Sequence, residues 1–198
     1  METDVLGNVI FTEEQIHQRV RELGEEITGD YRREDGNDAA LMVVSILKGG
    51  FIFLADLIRH IHLELSIDFM AISSYGESTR TSGAVKIVKD LSDSIYNKRV
   101  LVVEDIIDTG LTLSYILRNL ISRGPQEIKV CTLLDRTARR IALLEADYSG
   151  FQVGEDFLVG YGLDYLQKWR NLRYICALET TRYEDESHGR EPQDGRLS

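Results

Sequence analysis

Apolar positions recur along the chain with two different periods, and the switches between them outline an architecture. From Phe11 to Tyr31 the residues Ile16, Val20, Leu23 and Ile27 recur every three or four positions, the stripe of an amphipathic helix. Thr12 suits its N-cap, with Glu13 and Glu14 just inside, where carboxylates meet the positive end of the helix. Arg32 to Asn37 is polar and reads as a loop. Ala40 to Leu47 is apolar nearly throughout, and a run of that length closed by Gly49-Gly50 suits a strand buried on both faces. The pattern then predicts a helix over Phe51 to His60, a strand over Ile67 to Ser74, a polar, hydroxyl-rich loop over Tyr75 to Gly83 and a short strand over Val85 to Val88. Arg99 to Glu104 is the clearest strand. A helix over Thr109 to Ser122 follows, packing through Leu111, Tyr115, Ile116 and Leu120. Further strands are predicted over Ile128 to Leu134, Phe151 to Tyr161 and Tyr174 to Leu178.

Strand and helix alternate, which predicts an α/β fold: a central, mostly parallel sheet flanked by helices. Residues 1–182 are expected to form one domain. From Tyr183 onward apolar residues almost vanish, so residues 183–198 are expected to be a disordered polar tail.

Composition narrows the function. The net charge of −10 argues against affinity for nucleic acid or anionic membranes. It leaves open a phosphorylated small substrate, held by backbone amides, a few cations and Mg²⁺. No apolar run is long enough to span a bilayer, and Met1 to Asn8 is acidic rather than signal-like, so a cytoplasmic protein is expected. Cys131 and Cys176 lie in apolar runs and read as buried, reduced thiols.

Chemistry concentrates in Val102-Val-Glu-Asp-Ile-Ile-Asp-Thr-Gly-Leu-Thr112. An apolar strand ends in Glu104 and Asp105; a third acid, Asp108, opens a small hydroxyl-bearing turn; a helix follows. In open α/β sheets ligands bind where strands end, and helix N-termini carry unpaired N–H groups. Thr109, Gly110, Leu111 and Thr112 therefore suit a phosphate monoester. The adjacent acids suit vicinal hydroxyls and Mg²⁺, and Asp108 suits a general base. Competing readings are a phosphoryl-accepting receiver, a Walker-B strand and a plain capped helix with solvated acids. The first lacks a suitable strand near residue 10, and the second lacks the Gly-x-x-x-x-Gly-Lys-[Ser/Thr] loop.

This segment resembles the phosphoribosyl pyrophosphate signature of type I phosphoribosyltransferases. The resemblance covers roughly Val9 to Glu179 and narrows to the hypoxanthine-guanine branch. It implies a small hood formed by the terminal segments and transfer of 5-phosphoribosyl from phosphoribosyl pyrophosphate to a 6-oxopurine, with Mg²⁺ and in a homodimer or homotetramer. Lys48 and Gly49 would hold pyrophosphate, on a loop whose lysine often follows a cis peptide. Ser74 and Tyr75 would belong to a covering lid. Arg136 stands where the family typically has a lysine that donates to the purine 6-oxo group. Arg140 would order the pyrophosphate loop and the central acids, whereas Arg139 reads as solvated. Phe157 would stack on the purine, the Leu158 backbone would read its edge, Asp164 would bind a second Mg²⁺ beside the one at Glu104 and Asp105, and Arg170 would approach pyrophosphate. Gly154-Glu155 replaces a segment in which relatives often carry Ile-Pro. A xanthine-preferring enzyme and a nucleotide-sensing regulator of the same fold are the alternatives; the net charge and the intact Lys48, Asp108 and Asp164 weigh against the regulator.

Overall fold

The computed structural model describes residues 3–32, 40–74 and 85–181; the expected loop at residues 75–83 and tail at 183–198 lie outside these. Six strands form the main sheet in the order β4-β3-β2-β5-β6-β7. They are β2 (Leu41–Leu47), β3 (Leu65–Ser74), β4 (Val85–Lys89), β5 (Arg99–Ile107), β6 (Glu127–Asp135) and β7 (Tyr148–Gln152). All neighbouring pairs are parallel except β3 with β4. A second sheet is antiparallel and joins β1 (Thr3–Phe11), β9 (Ile175–Thr181) and β8 (Leu158–Val159). It is the expected hood, built from both ends of the described chain.

The near-continuous apolar runs of β2 and β5 arise because both faces of the sheet are covered. Leu41, Val43, Leu101 and Val103 pack in the cluster containing residues of α1 (Glu13–Tyr31) and α2 (Phe51–Leu57). Their alternating neighbours Met42, Val44, Val100 and Val102 pack in the cluster containing α3 (Leu111–Ile121). Helix α1 starts with a capping box: the Thr12 hydroxyl accepts from Gln15 N, and the Gln15 side chain accepts from Thr12 N. Its buried residues include Ile16, Val20, Leu23 and Ile27, the stripe expected from sequence.

Several boundaries differ from expectation. A strand, β1, precedes Thr12; its Val5 and Val9 stay about half exposed, so no apolar alternation marks it. It lies in the hood and not at the centre of the main sheet, so it supplies no receiver-type first strand. The Phe51 to His60 helix ends at Leu57 and tightens into a 3₁₀ turn. Strand β5 continues to Ile107, because its ladder with β6 runs on to Ile107 opposite Asp135. Phe151 to Tyr161 is not one strand: its start belongs to β7 and its later part to β8, in different sheets.

Candidate active site

The parallel strands end together along one edge, where β2 stops at Leu47, β5 at Ile107 and β6 at Asp135. Between β5 and α3 the chain turns through Asp108, Thr109 and Gly110. Gly110 adopts φ 76°, a conformation that a side chain would strain, and a Cβ there would meet Arg140 Cδ at 2.9 Å. This turn delays the helix to Leu111 rather than Thr109. Gly110 brings no side-chain cap; Leu111 N donates to Thr109 Oγ1 at 3.4 Å, and the Thr112 and Leu113 amides behind it face the turn where a ligand can meet them. A cleft of about 260 Å³ opens here, lined by Gly49, Glu104, Asp105, Asp108, Thr109 and Thr112 among others.

Burial dominates the electrostatics of the central acids. Desolvation, reinforced by neighbouring Asp105, pushes the Glu104 carboxyl well above its usual range. Desolvation also raises Asp105 to about 6, against the opposing pull of backbone N–H groups and Arg170. Two desolvated carboxylates beside this cleft form a hard oxygen set that suits Mg²⁺, which usually takes one or two carboxylates plus substrate oxygens. Among the described residues no three His, Cys, Asp or Glu side chains converge, so the protein alone builds no closed metal cage.

Two glycines let backbone reach these acids. A Cβ on Gly49 would fall 1.8 Å from Asp105 Oδ2, and one on Gly162 would fall 2.2 Å from the Gly49 carbonyl oxygen. The Leu47–Lys48 peptide is cis. Lys48 Nζ and Arg170 Nη2 both donate to Gln167 Oε1 at 3.4 Å. Arg170 Nη2 also pairs with Asp164 Oδ1 at 2.6 Å, while Asp164 Oδ2 accepts from Gln167 N. Lys48, Gly49, Asp164 and Arg170 thus gather around one mouth. Gln167 joins them unforeseen; Leu166 and Gln167 both adopt positive φ in a turn closed by Tyr165 and Lys168.

A second cleft of about 250 Å³ shares Asp105, Ile106 and Asp108 with the first and adds Arg136, Phe157, Leu158, Leu163 and Asp164. Phe157 is half exposed and lies edge-on to Tyr165, which leaves ring surface for a ligand. Arg136 is buried; its Nε donates to Gly154 O at 2.7 Å, its Nη2 to Asp156 O at 2.6 Å, and its Nη1 stands 3.5 Å from Asp108 Oδ2. Arg139 Nη1 lies 3.7 Å from the same oxygen, so it faces Asp108 rather than only solvent. Asp108 Oδ1 is buried with no hydrogen-bond partner among the described residues.

Arg140 sits elsewhere than expected. It lies behind the turn, paired with Asp135, and donates to the carbonyls of Ile107, Asp108 and Leu144. It therefore braces the Asp108 turn from the protein side; its nitrogens are occupied and do not reach the Lys48 loop. Ser74 ends β3, while Tyr75 lies outside the described residues.

A mostly parallel sheet with an acid-rich turn and helix at its carboxyl edge, together with an antiparallel hood, fits the phosphoribosyltransferase class. A family model described as the phosphoribosyl transferase domain matches residues 10–166, and the chain belongs to that family. Within it the similarity is to the hypoxanthine-guanine enzymes. The hypoxanthine-guanine phosphoribosyltransferase of Bacillus subtilis is 47% identical over 179 residues, covering 90% of this chain and 97% of that protein. That of Mycobacterium avium is 48% identical over 182 residues, covering 90% and 89%. A crystal structure of a Bacillus anthracis hypoxanthine-guanine phosphoribosyltransferase, 42% identical, superposes with a TM-score of 0.82 and covers 90% of this chain and all of that one.

Proposed function

We propose that this chain, a purine-salvage transferase, moves 5-phosphoribosyl from phosphoribosyl pyrophosphate to N9 of hypoxanthine or guanine, releasing pyrophosphate. The observation that carries the reading is the position of Asp108. It borders both clefts, one oxygen faces two arginines, and the other is buried without a partner among the described residues. An unpaired buried carboxylate oxygen is costly, and a purine N7–H would satisfy it.

In this reading the 5′-phosphate lies on Thr109, Gly110, Leu111 and Thr112 at the start of α3, where amides and hydroxyls converge. The ribose hydroxyls face Glu104 and Asp105. Lys48, Gly49 and Arg170 receive the pyrophosphate, and Arg140 holds the turn from behind. Phe157 covers the base, with the Leu158 backbone along its edge, and Nη1 of Arg136, the nitrogen that faces Asp108, meets the 6-oxo group. The bond from C1 to the pyrophosphate oxygen breaks with its electron pair on the leaving oxygen. N9 bonds to C1, and the N7 proton passes to Asp108. The positive charge developing on the sugar is stabilised by the nearby carboxylates, as in glycoside cleavage. Mg²⁺, held with substrate oxygens by Glu104 and Asp105 and at a second position by Asp164, would offset the charge on the leaving group. Ser74 and Tyr75 would help cover the site, because water would otherwise intercept the reacting carbon. A cytoplasmic homodimer or homotetramer that binds neither nucleic acid nor membrane completes the proposal; no helix among the described residues is long and apolar enough to cross a bilayer.

Asp108→Asn tests the assignment. The variant should lose roughly 10²–10⁴-fold in kcat, the usual worth of a positioned base, while binding phosphoribosyl pyrophosphate normally. An unchanged kcat removes Asp108 from this role.

A further inference from the structure

Arg136 has more to do than a single donor requires. It directly follows β6, is only 4% exposed, and turns its planar guanidinium toward three groups. Nε and Nη2 hold the carbonyls of Gly154 and Asp156, on either side of Glu155, and Nη1 faces Asp108. Both carbonyls belong to the segment that crosses from β7 in the main sheet to β8 in the hood. Backbone bonds fix the ends of that crossing: Val153 N donates to Asp135 O at 3.0 Å and Leu178 N to Phe157 O at 2.7 Å. Between them Gly154 gives the backbone wide freedom, and a Cβ there would meet nothing within 4 Å, so packing does not restrain it. A buried cation also needs polar partners, and these two carbonyls and one carboxylate supply them.

We infer that Arg136 is a positioning residue for the purine wall: by clamping residues 154–156 it sets Phe157 over the base cleft and so sets base affinity. The inference rests on the proposed transfer reaction and assigns Arg136 a task beyond reading the purine edge. Lysine separates the two tasks. It retains a donor for the cleft, but a single ammonium lacks the rigid fork that spans two carbonyls while facing Asp108.

Arg136→Lys should raise KM for hypoxanthine roughly tenfold, the scale of one lost hydrogen bond to a charged group. KM for phosphoribosyl pyrophosphate should stay within about twofold. Backbone hydrogen exchange over residues 153–158 of the substrate-free protein should quicken, with α3 unchanged, because local opening becomes easier. Arg136→Gln, which buries no charge, should give the same pattern and serves if the lysine variant does not fold. A hypoxanthine KM within about twofold of wild type, a loss falling equally on both substrates, or unaltered exchange at 153–158 would overturn the inference. A wild-type protein with no transferase activity would instead sink the functional reading, and the exchange measurement would still decide the clamp.

Discussion

At Asp105 two demands oppose each other. Burial penalises its charge, yet the proposed chemistry uses the ionised form. Its carboxyl lies near 6 in the folded protein against 3.8 for the ordinary group, so the fold binds this proton more tightly than the unfolded chain does. The stability from that proton is fully present below the ordinary value and is lost as pH rises through about 6. Asp105→Asn, which is never charged, should therefore raise the melting temperature of the substrate-free protein at about pH 8 and change it little near pH 4. Thermal unfolding at the two pH values checks this, and an equal effect at both would contradict it. At this scale the central acids and the Thr-Gly turn were legible, because their chemistry is local: acids at a strand end, then small residues opening a helix. Arg140, Arg139 and Gln167 were not legible in their observed roles. Arg140 donates across more than thirty positions to Ile107 and Asp108, a proximity that no local spacing encodes.

Elements followed the same division. Strands β2, β5 and β6 and helix α1 were legible because each repeats a buried pattern over several residues; α3 was legible as an element, but it packs through Leu113, Ile116, Leu117 and Leu120, while the expected Leu111 and Tyr115 are exposed. Strand β1 was not, because it lies half exposed and gains its identity only by pairing with β9 at the far end of the described chain. The break between β7 and β8 was also hidden, since alternation does not say to which sheet a strand belongs. Among the contacts that couple the hood to the rest of the fold, one follows from this arrangement. Tyr161, buried and at φ 48°, donates its hydroxyl to Asp56 Oδ2 on α2 at 2.6 Å. Burial and that carboxylate raise its own ionisation far above the usual tyrosine range. Tyr161→Phe should cost about 1–3 kcal/mol, the penalty for removing a buried hydrogen bond to a charged acceptor. Urea unfolding should show a lower midpoint with an unchanged slope; an unchanged midpoint would mean that the hood is held without this link.

Across the whole molecule, the two clefts meet at Asp105, Ile106 and Asp108, with the Thr109–Thr112 turn on one side and Phe157 of the hood on the other. That meeting point is where a sugar carbon would be exchanged between a leaving pyrophosphate and an arriving purine. The most direct test is a spectrophotometric assay of the purified protein with phosphoribosyl pyrophosphate and Mg²⁺, offering hypoxanthine, guanine, xanthine and adenine separately. Rapid conversion of hypoxanthine or guanine, abolished by chelating Mg²⁺, is the predicted result. No conversion of hypoxanthine or guanine, with phosphoribosyl pyrophosphate still bound, would contradict it.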